Sequence, residues 1–442
     1  MWHAPSVPGF DAELYLRLAG EEMLLEGGGE RQRPWDSPLL DPASALVAVG
    51  AISAAKARAV IADYSLAESM RSEQGAHYQV MIGSASPARS PKARPLKPRR
   101  VVACDRTIEG PSGSLRVRRV KLSEDGTGLA ITWRPNRPKR ASRPMRHMVM
   151  FGAGASWQPQ PQLTDDRGTT TASDFSGGGS DEEWEGQLTA EDPLAPDTAW
   201  IEVDGTRIEL THERWPCEVS IEPLPDEPPA RRYLWRHLTT SDFPGPPEIE
   251  TSIEALIAAG AVQPDDPVLD AARSVRDAMP HHPGMYAGVP RGVRRLPEPW
   301  RSLFSRLGKA DGPEGTVALG ALTPVFDGFT VALISLDSQP EGFEIEVDVA
   351  PGRDGRGPIG SGLEPQQLAW WAADDRANHY LGQIGGWSGG EHHGTGEVNF
   401  WPALHPQARR LQIMPTAEQT SAVISFPLPW ARDRPATPPR PA

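Results

Sequence analysis

Apolar and polar residues alternate along short stretches of this chain, and those stretches predict β-strands. Phe343, Ile345, Val347 and Val349 alternate with Glu344, Glu346 and Asp348, which makes one face core and leaves the other to water. Leu129, Ile131 and Trp133 play the same part earlier in the chain. Ile201 and Val203 point inward beside Glu202 and Asp204, and Leu411 and Ile413 repeat the pattern beside Arg410 and Gln412. Thr330 to Leu336 predicts a more deeply buried strand. Leu115 to Leu122 changes phase near Arg118 and Arg119, which implies a bulge.

Two stretches carry the other period. Ala45 to Ile52 and Ala255 to Val262 are rich in Ala, Leu and Ile, and Gly50 and Gly260 are placed to end a helix as C-terminal caps. A second helix is expected after each, over Ala54 to Arg71 and Pro267 to Met279. In the former, Ala57, Val60, Ile61, Tyr64 and Ala67 share one face. Arg231 to Leu238 reads as a further short helix.

These elements recur in order. Ala45 to Ile52 matches Ala255 to Val262 at an offset of 210, and Asp165-Asp166-Arg167-Gly168 matches Asp374-Asp375-Arg376-Ala377 at 209. Gly186, Leu194, Pro196, Ile201 and Val203 then match Gly396, Leu404, Pro406, Leu411 and Ile413, again at 210. Several matches at a nearly constant offset indicate an internal duplication. The expected fold is α+β, mainly β: two tandem immunoglobulin-like antiparallel β-sandwich modules, each preceded by a short helical hairpin. The expected divisions are a helical segment 1–83, a Pro/Arg-rich linker 84–100, a first β-module 101–228, a second helical segment 229–300, a second β-module 301–432 and a disordered tail 433–442.

Composition refines this picture. The 43 Gly and 47 Pro disfavour long helices and favour short strands with punctuated turns. The net charge of −13 argues against general nucleic-acid affinity, yet residues 81–150 hold 17 Lys and Arg against 4 acids, and residues 165–227 hold 18 acids against 3 bases. Both stretches fall in one module, so mutual neutralisation is the simplest reading. The N-terminus has neither the basic nor the apolar region of a secretory signal, and the longest apolar run is too short to span a bilayer. Two cysteines, Cys104 and Cys217, fit thiols in a reducing interior, and a cytoplasmic location is the expectation.

No motif specifies a reaction. The Asp-Asp-Arg element offers carboxylates and a guanidinium, but it occurs twice and lies between strands, where Asp makes turns, so it reads as a hairpin corner. Glu391, His392 and His393, with His379, form the best metal candidate; against it, adjacent histidines fit poorly around one tetrahedral ion. Glycine-rich Pro351 to Gly362 lacks the end of a phosphate-binding loop. Tryptophan is unusually frequent, 14 against 6 Tyr. Trp370, Trp371, Trp387 and Trp401 cluster in the second module, where exposed rings would stack on sugars or anchor a protein, and buried ones would simply fill the core.

The run Trp370 to Arg376, Tyr380 and Phe400-Trp401-Pro402-Ala403-Leu404 resembles uncharacterised duplicated proteins of high-GC bacteria. More distantly it is similar to immunoglobulin-like bacterial extracytoplasmic or regulatory modules with a D-x-x-G-x-x-Y … F-x-P pattern. Ala377 stands where that pattern has Gly. The first half keeps Gly168 but places Thr169 to Thr171 where the second has Asn378-His379-Tyr380. The resemblance covers mainly the second module and implies no activity, cofactor or catalytic residue. The functional expectation is a non-enzymatic binding or scaffold protein with a protein or glycan partner, no cofactor and no membrane association. The alternatives are carbohydrate binding through the tryptophans and a metal-dependent hydrolase built on the histidines.

Overall fold

The computed structural model describes residues 9–26, 39–64, 96, 100–110, 113–123, 126–136, 161–179, 183–210, 215–240, 249–279, 292–309, 311–350, 368–389 and 394–431. The expected linker, apart from residues 96 and 100, and the expected tail lie outside them.

Seven helices are described: α1 (Ala12–Glu26), α2 (Leu40–Ala48), α3 (Ala54–Tyr64), α4 (Pro229–Thr239), α5 (Glu250–Ala258), α6 (Pro267–Ala278) and α7 (Trp300–Phe304). The matched segments α2 and α5 pack on each other. Ala43, Ala45 and Leu46 on one side and Ile253, Ala255 and Leu256 on the other are fully buried, and the small alanines let the helix axes come close. Their ends are built alike. Gly50 and Gly260 take φ of 74° and 67°. The amide of Ala51 donates to Leu46 O and that of Ala261 to Leu256 O, both at 2.9 Å, which is the glycine cap that the sequence predicts. Asp266 caps α6 by accepting from Val268 N at 2.9 Å, ahead of Pro267 in the first turn.

Along the chain a helical segment precedes each β-unit, as expected, but the two hairpins do not pack separately. Apolar side chains of all these helices share a single core, which Leu381 and Trp401 of the second β-unit join. The apolar stripe of a two-helix hairpin is too wide for either hairpin to cover alone, so the two bury theirs together.

Eighteen strands are described: β1 (Arg100–Gly110), β2 (Gly113–Ser123), β3 (Gly126–Pro135), β4 (Leu163–Asp165), β5 (Thr170–Thr171), β6 (Ser173–Gly179), β7 (Trp184–Ala190), β8 (Trp200–Val203), β9 (Thr206–Glu209), β10 (Glu218–Pro223), β11 (Gly315–Leu322), β12 (Thr330–Ser338), β13 (Phe343–Ala350), β14 (Ala369–Asp374), β15 (His379–Gly389), β16 (Gly394–Trp401), β17 (Arg410–Thr416) and β18 (Thr420–Pro427). The protein is mostly β and its sheets are antiparallel. The bulge expected in β2 is present, a register shift between Val117 and Arg119.

The sheets differ from two separate two-layer sandwiches. The first unit has a five-stranded sheet, β1-β2-β3-β7-β6, and a four-stranded one, β5-β4-β8-β9. The second unit forms one nine-stranded sheet, β10-β18-β17-β14-β15-β16-β13-β12-β11, with β10 supplied by the first half. This sheet curls around its own apolar face. Its edges approach each other: Cys217, just before β10, puts its thiol 4.0 Å from Leu319 O on β11.

Taking β5 and β6 as one interrupted strand, both units share a strand order, β1-β2-β3-β7-(β6, β5)-β4-β8-β9 against β11-β12-β13-β16-β15-β14-β17-β18. Registers agree as well. Ile131 faces Gly186 as Val347 faces Gly396, and Asp165 faces Ile201 as Asp374 faces Leu411.

The Asp-Asp-Arg elements are turns in both units. Asp165 Oδ1 accepts from the amides of Arg167 and Thr169 at 3.0 and 2.7 Å; Asp374 Oδ1 accepts from those of Arg376 and Asn378 at 2.9 and 3.0 Å. Gly168 and Ala377 take the left-handed conformation at the same corner, with φ of 79° and 58°. The second carboxylate of each pair holds the neighbouring strand, Asp166 on Ala199 N and Asp375 on Arg409 N, both at 2.8 Å.

The polar face of β13 is where the simple alternation rule fails. Glu346 and Asp348 are buried rather than wet. The first unit packs on them, and its Arg119 reaches Asp337 at 2.5 Å and Glu346 at 2.7 Å, while Lys121 lies 3.4 Å from Glu346 and 3.7 Å from Asp348. Some basic charge of the first unit is neutralised within it, Arg134 by Glu183 for example. The deeply buried part is neutralised across the interface.

Candidate functional site

The expected tryptophan cluster is divided by strand geometry. Successive side chains point to opposite faces of a sheet, so the neighbours Trp370 and Trp371 part on β14. Trp370, 2% exposed, enters the core of the nine-stranded sheet, where it packs over Gly382; a Cβ there would lie 2.7 Å from Trp370 Cβ. Trp371 points the other way, toward the helices, and is half-buried. Trp401, 4% exposed, is sealed between sheet and helices against Phe304. Trp387 belongs to β15, but its side chain is outside the described residues. Burial therefore removes Trp370 and Trp401 from any surface platform and leaves Trp371.

Trp371 has aromatic company that periodicity did not reveal. Trp300 of α7 meets it edge to face at 5.0 Å, and Trp235 of α4 lies 6.4 Å from Trp300. Together they line a cleft of about 540 Å³ where α4, α6 and the segment 297–300 meet the ends of β14 and β17. Pro225, Pro267, Pro297 and Pro299 stiffen its walls. Arg231, Arg232 and Arg236 of α4 supply its cations, with Glu227 and Glu298 the carboxylates. The size and the mixture of apolar wall with a few polar groups fit a small-ligand pocket. The sequence signal for it was weak, because the three tryptophans lie on three separate elements. Only the Arg231–Leu238 helix hinted that cations and an aromatic share a face.

The metal candidate is not assembled among the described residues. Glu391, His392 and His393 lie outside them, and no group of His, Cys, Asp and Glu within them could hold a metal ion. His379 is half-buried beside α7, its amide donating to Ser302 Oγ at 3.2 Å. Burial lowers its pKa, outweighing Glu298 and Asp374 nearby.

A second concave region lies between the β-units. It encloses about 400 Å³ and brings Arg116, Arg118 and Arg134 together with Glu183, Glu185 and Asp337. Arg134 pairs with Glu183, and Arg118 lies 3.7 Å from Glu185. Charges there answer one another across the walls, and no aromatic ring lines it. Cys104, the thiol of the first unit, has its pKa pushed up to about 11 by burial, which suits an inert core thiol and not a nucleophile.

No family model matches the chain, and no curated protein matches it. Among solved structures, a crystal structure described as the conserved domain protein from Bacillus anthracis matches with 9% sequence identity over 71% of this chain and 77% of that one. Its TM-score of 0.19 is too low for the likeness to carry an argument. No described helix is long and apolar enough to cross a membrane.

Proposed function

We propose that this chain is a non-enzymatic binding protein whose ligand site is the cleft walled by the half-buried Trp235 and Trp371, both braced by the buried Trp300. One observation carries the reading: three indoles from separate elements converge on one concave, proline-walled space at the junction of helices and sheet. Aromatic rings fixed in this way offer large contact area at small entropic cost. The two β-units are, in this reading, copies of one antiparallel module. Their common strand order and their identically held aspartate corners support that. An immunoglobulin-like origin of the module and a cytoplasmic setting are our readings of strand pattern and cysteine use. Only the second unit carries the tryptophan at the strand position that meets the helices. Its counterpart, offset by 209, is Gln162.

The test is a ligand-observed NMR screen with two arms, planar aromatic compounds and mono- and disaccharides, run on the wild-type chain and on Trp371→Ala. Binders that saturate one site and are lost in the variant support the reading, and the successful arm names the chemistry. Binders indifferent to Trp371→Ala, or no binder in either arm, overturn it. A far-UV circular dichroism melt establishes that the variant is folded.

A further inference from the structure

The charge around the cleft narrows the ligand class, an inference that rests on the binding reading above. The whole chain carries −13, yet α4 presents Arg231, Arg232 and Arg236 to this one space. Of the two carboxylates opposing them, Glu298 is already engaged. It accepts from Arg301 Nε at 2.8 Å and from Ser302 N at 3.1 Å. Burial pushes its pKa up, but these bonds to Arg301 and Ser302 outweigh it and hold the carboxyl below its usual range.

The arginines have looser company. Arg231 is 4.0 Å from Asp266, and Arg232 is 4.0 Å from Asp226. Arg232 Nη2 donates to Glu227 O at 3.3 Å, while its Nε is buried with no acceptor among the described residues. A guanidinium held 4.0 Å from its carboxylate partner gains more from an incoming anion than one already in a tight pair.

We infer that the cleft takes a small organic anion with a planar apolar body, its ring against Trp235 and Trp371 and its carboxylate or phosphate against Arg231 and Arg232. The cleft's volume of about 540 Å³ suits a ligand with two fused rings.

Isothermal titration with three probes of one shape tests this: 2-naphthoate, 2-naphthyl phosphate and the neutral 2-naphthamide. At least one anion is expected to bind about tenfold or more tightly than the amide. The advantage should shrink as NaCl is raised, and the double variant Arg231→Gln, Arg232→Gln should bring the anion to the amide's affinity without changing the amide's own. Which anion wins distinguishes a carboxylate from a phosphate. An amide that binds as well as both anions overturns the ligand class while the binding cleft stands. So does the case in which none of the three binds although other compounds depend on Trp371. Failure of every compound in both experiments removes the cleft reading itself.

Discussion

The indole rings of Trp300 and Trp371 meet edge to face, centroids 5.0 Å apart and planes inclined by 77°. Trp300 is 3% exposed and fixed by the helical core, so it holds Trp371 at the cleft wall. The neighbouring Trp370 has the opposite task. Trp370→Ala leaves a cavity inside the nine-stranded sheet and should cost about 3–5 kcal/mol. Trp371→Ala removes a half-buried ring from a cleft and should cost about 1–2 kcal/mol. Urea denaturation of the two variants gives the comparison, and equal losses would contradict the assignment of the two faces.

The buried charges between the β-units should respond unequally. Arg119→Ala leaves Asp337 and Glu346 facing one another without their guanidinium, a loss of about 3–5 kcal/mol. Arg134→Ala breaks a pair whose side chains are 66% and 38% exposed, and it should cost less than about 1 kcal/mol. Denaturation midpoints measure both. A small effect at Arg119 would mean that the units are not held together as described.

Stability should also fall as pH rises toward neutrality. Asp337 stands directly across from Glu344, and Glu346 across from Glu397, so like charges are paired on adjacent strands. Burial, with Glu397 and Asp337 adding to it, pushes the Glu344 carboxyl from 4.5 up to about 7, against the pull of Arg119 and Arg118. Glu397 is raised as well, first by burial. Between pH 4.5 and about 7 the folded state therefore holds more protons than the unfolded one, and stability declines with rising pH across that window. Glu344→Gln should flatten this part of a melting-temperature profile. A profile unchanged by the substitution would show that Glu344 does not titrate there.

The two aspartate corners predict a difference between the halves. Asp374 Oδ2 accepts from the buried Tyr380 hydroxyl at 2.7 Å, and that hydroxyl in turn accepts from Arg306 at 2.9 Å and from His405 N at 3.1 Å. Asp165 keeps the same turn bonds, but its Oδ2 has no partner among the described residues. Tyr380→Phe should cost about 1–3 kcal/mol, because it leaves Asp374 Oδ2 with Asn378 Nδ2 alone, at 2.9 Å, and takes the hydroxyl acceptor from the buried Arg306. Asp374→Ala should cost more than Asp165→Ala. Thermal melts of the three variants decide it, and equal losses at the two corners would contradict the role given to Tyr380.

Local rules in the sequence carried much of the fold. The glycine caps at Gly50 and Gly260, the bulge beside Arg119 and the aspartate corners all follow from chemistry within a few residues. What the pattern could not carry was pairing at long range. The alternation in β13 marks Glu346 and Asp348 as one face, but water and a neighbouring sheet look the same to a period of two. Likewise Trp370 and Trp371 are plainly on opposite faces of a strand. Which face meets helices depends on elements 71 and 136 residues upstream, counted from Trp371 to Trp300 and to Trp235.

An NMR titration of the chain labelled with ¹⁵N-tryptophan tests whether Trp235 and Trp371, braced by Trp300, form one ligand site. The indole resonances are assigned by single Trp→Phe substitutions, and 2-naphthoate is the titrant. Shifts should be confined to those three indoles, with Trp133 and Trp370, buried in the cores of the β-units, unmoved. Shifts at other indoles with these three silent would contradict it.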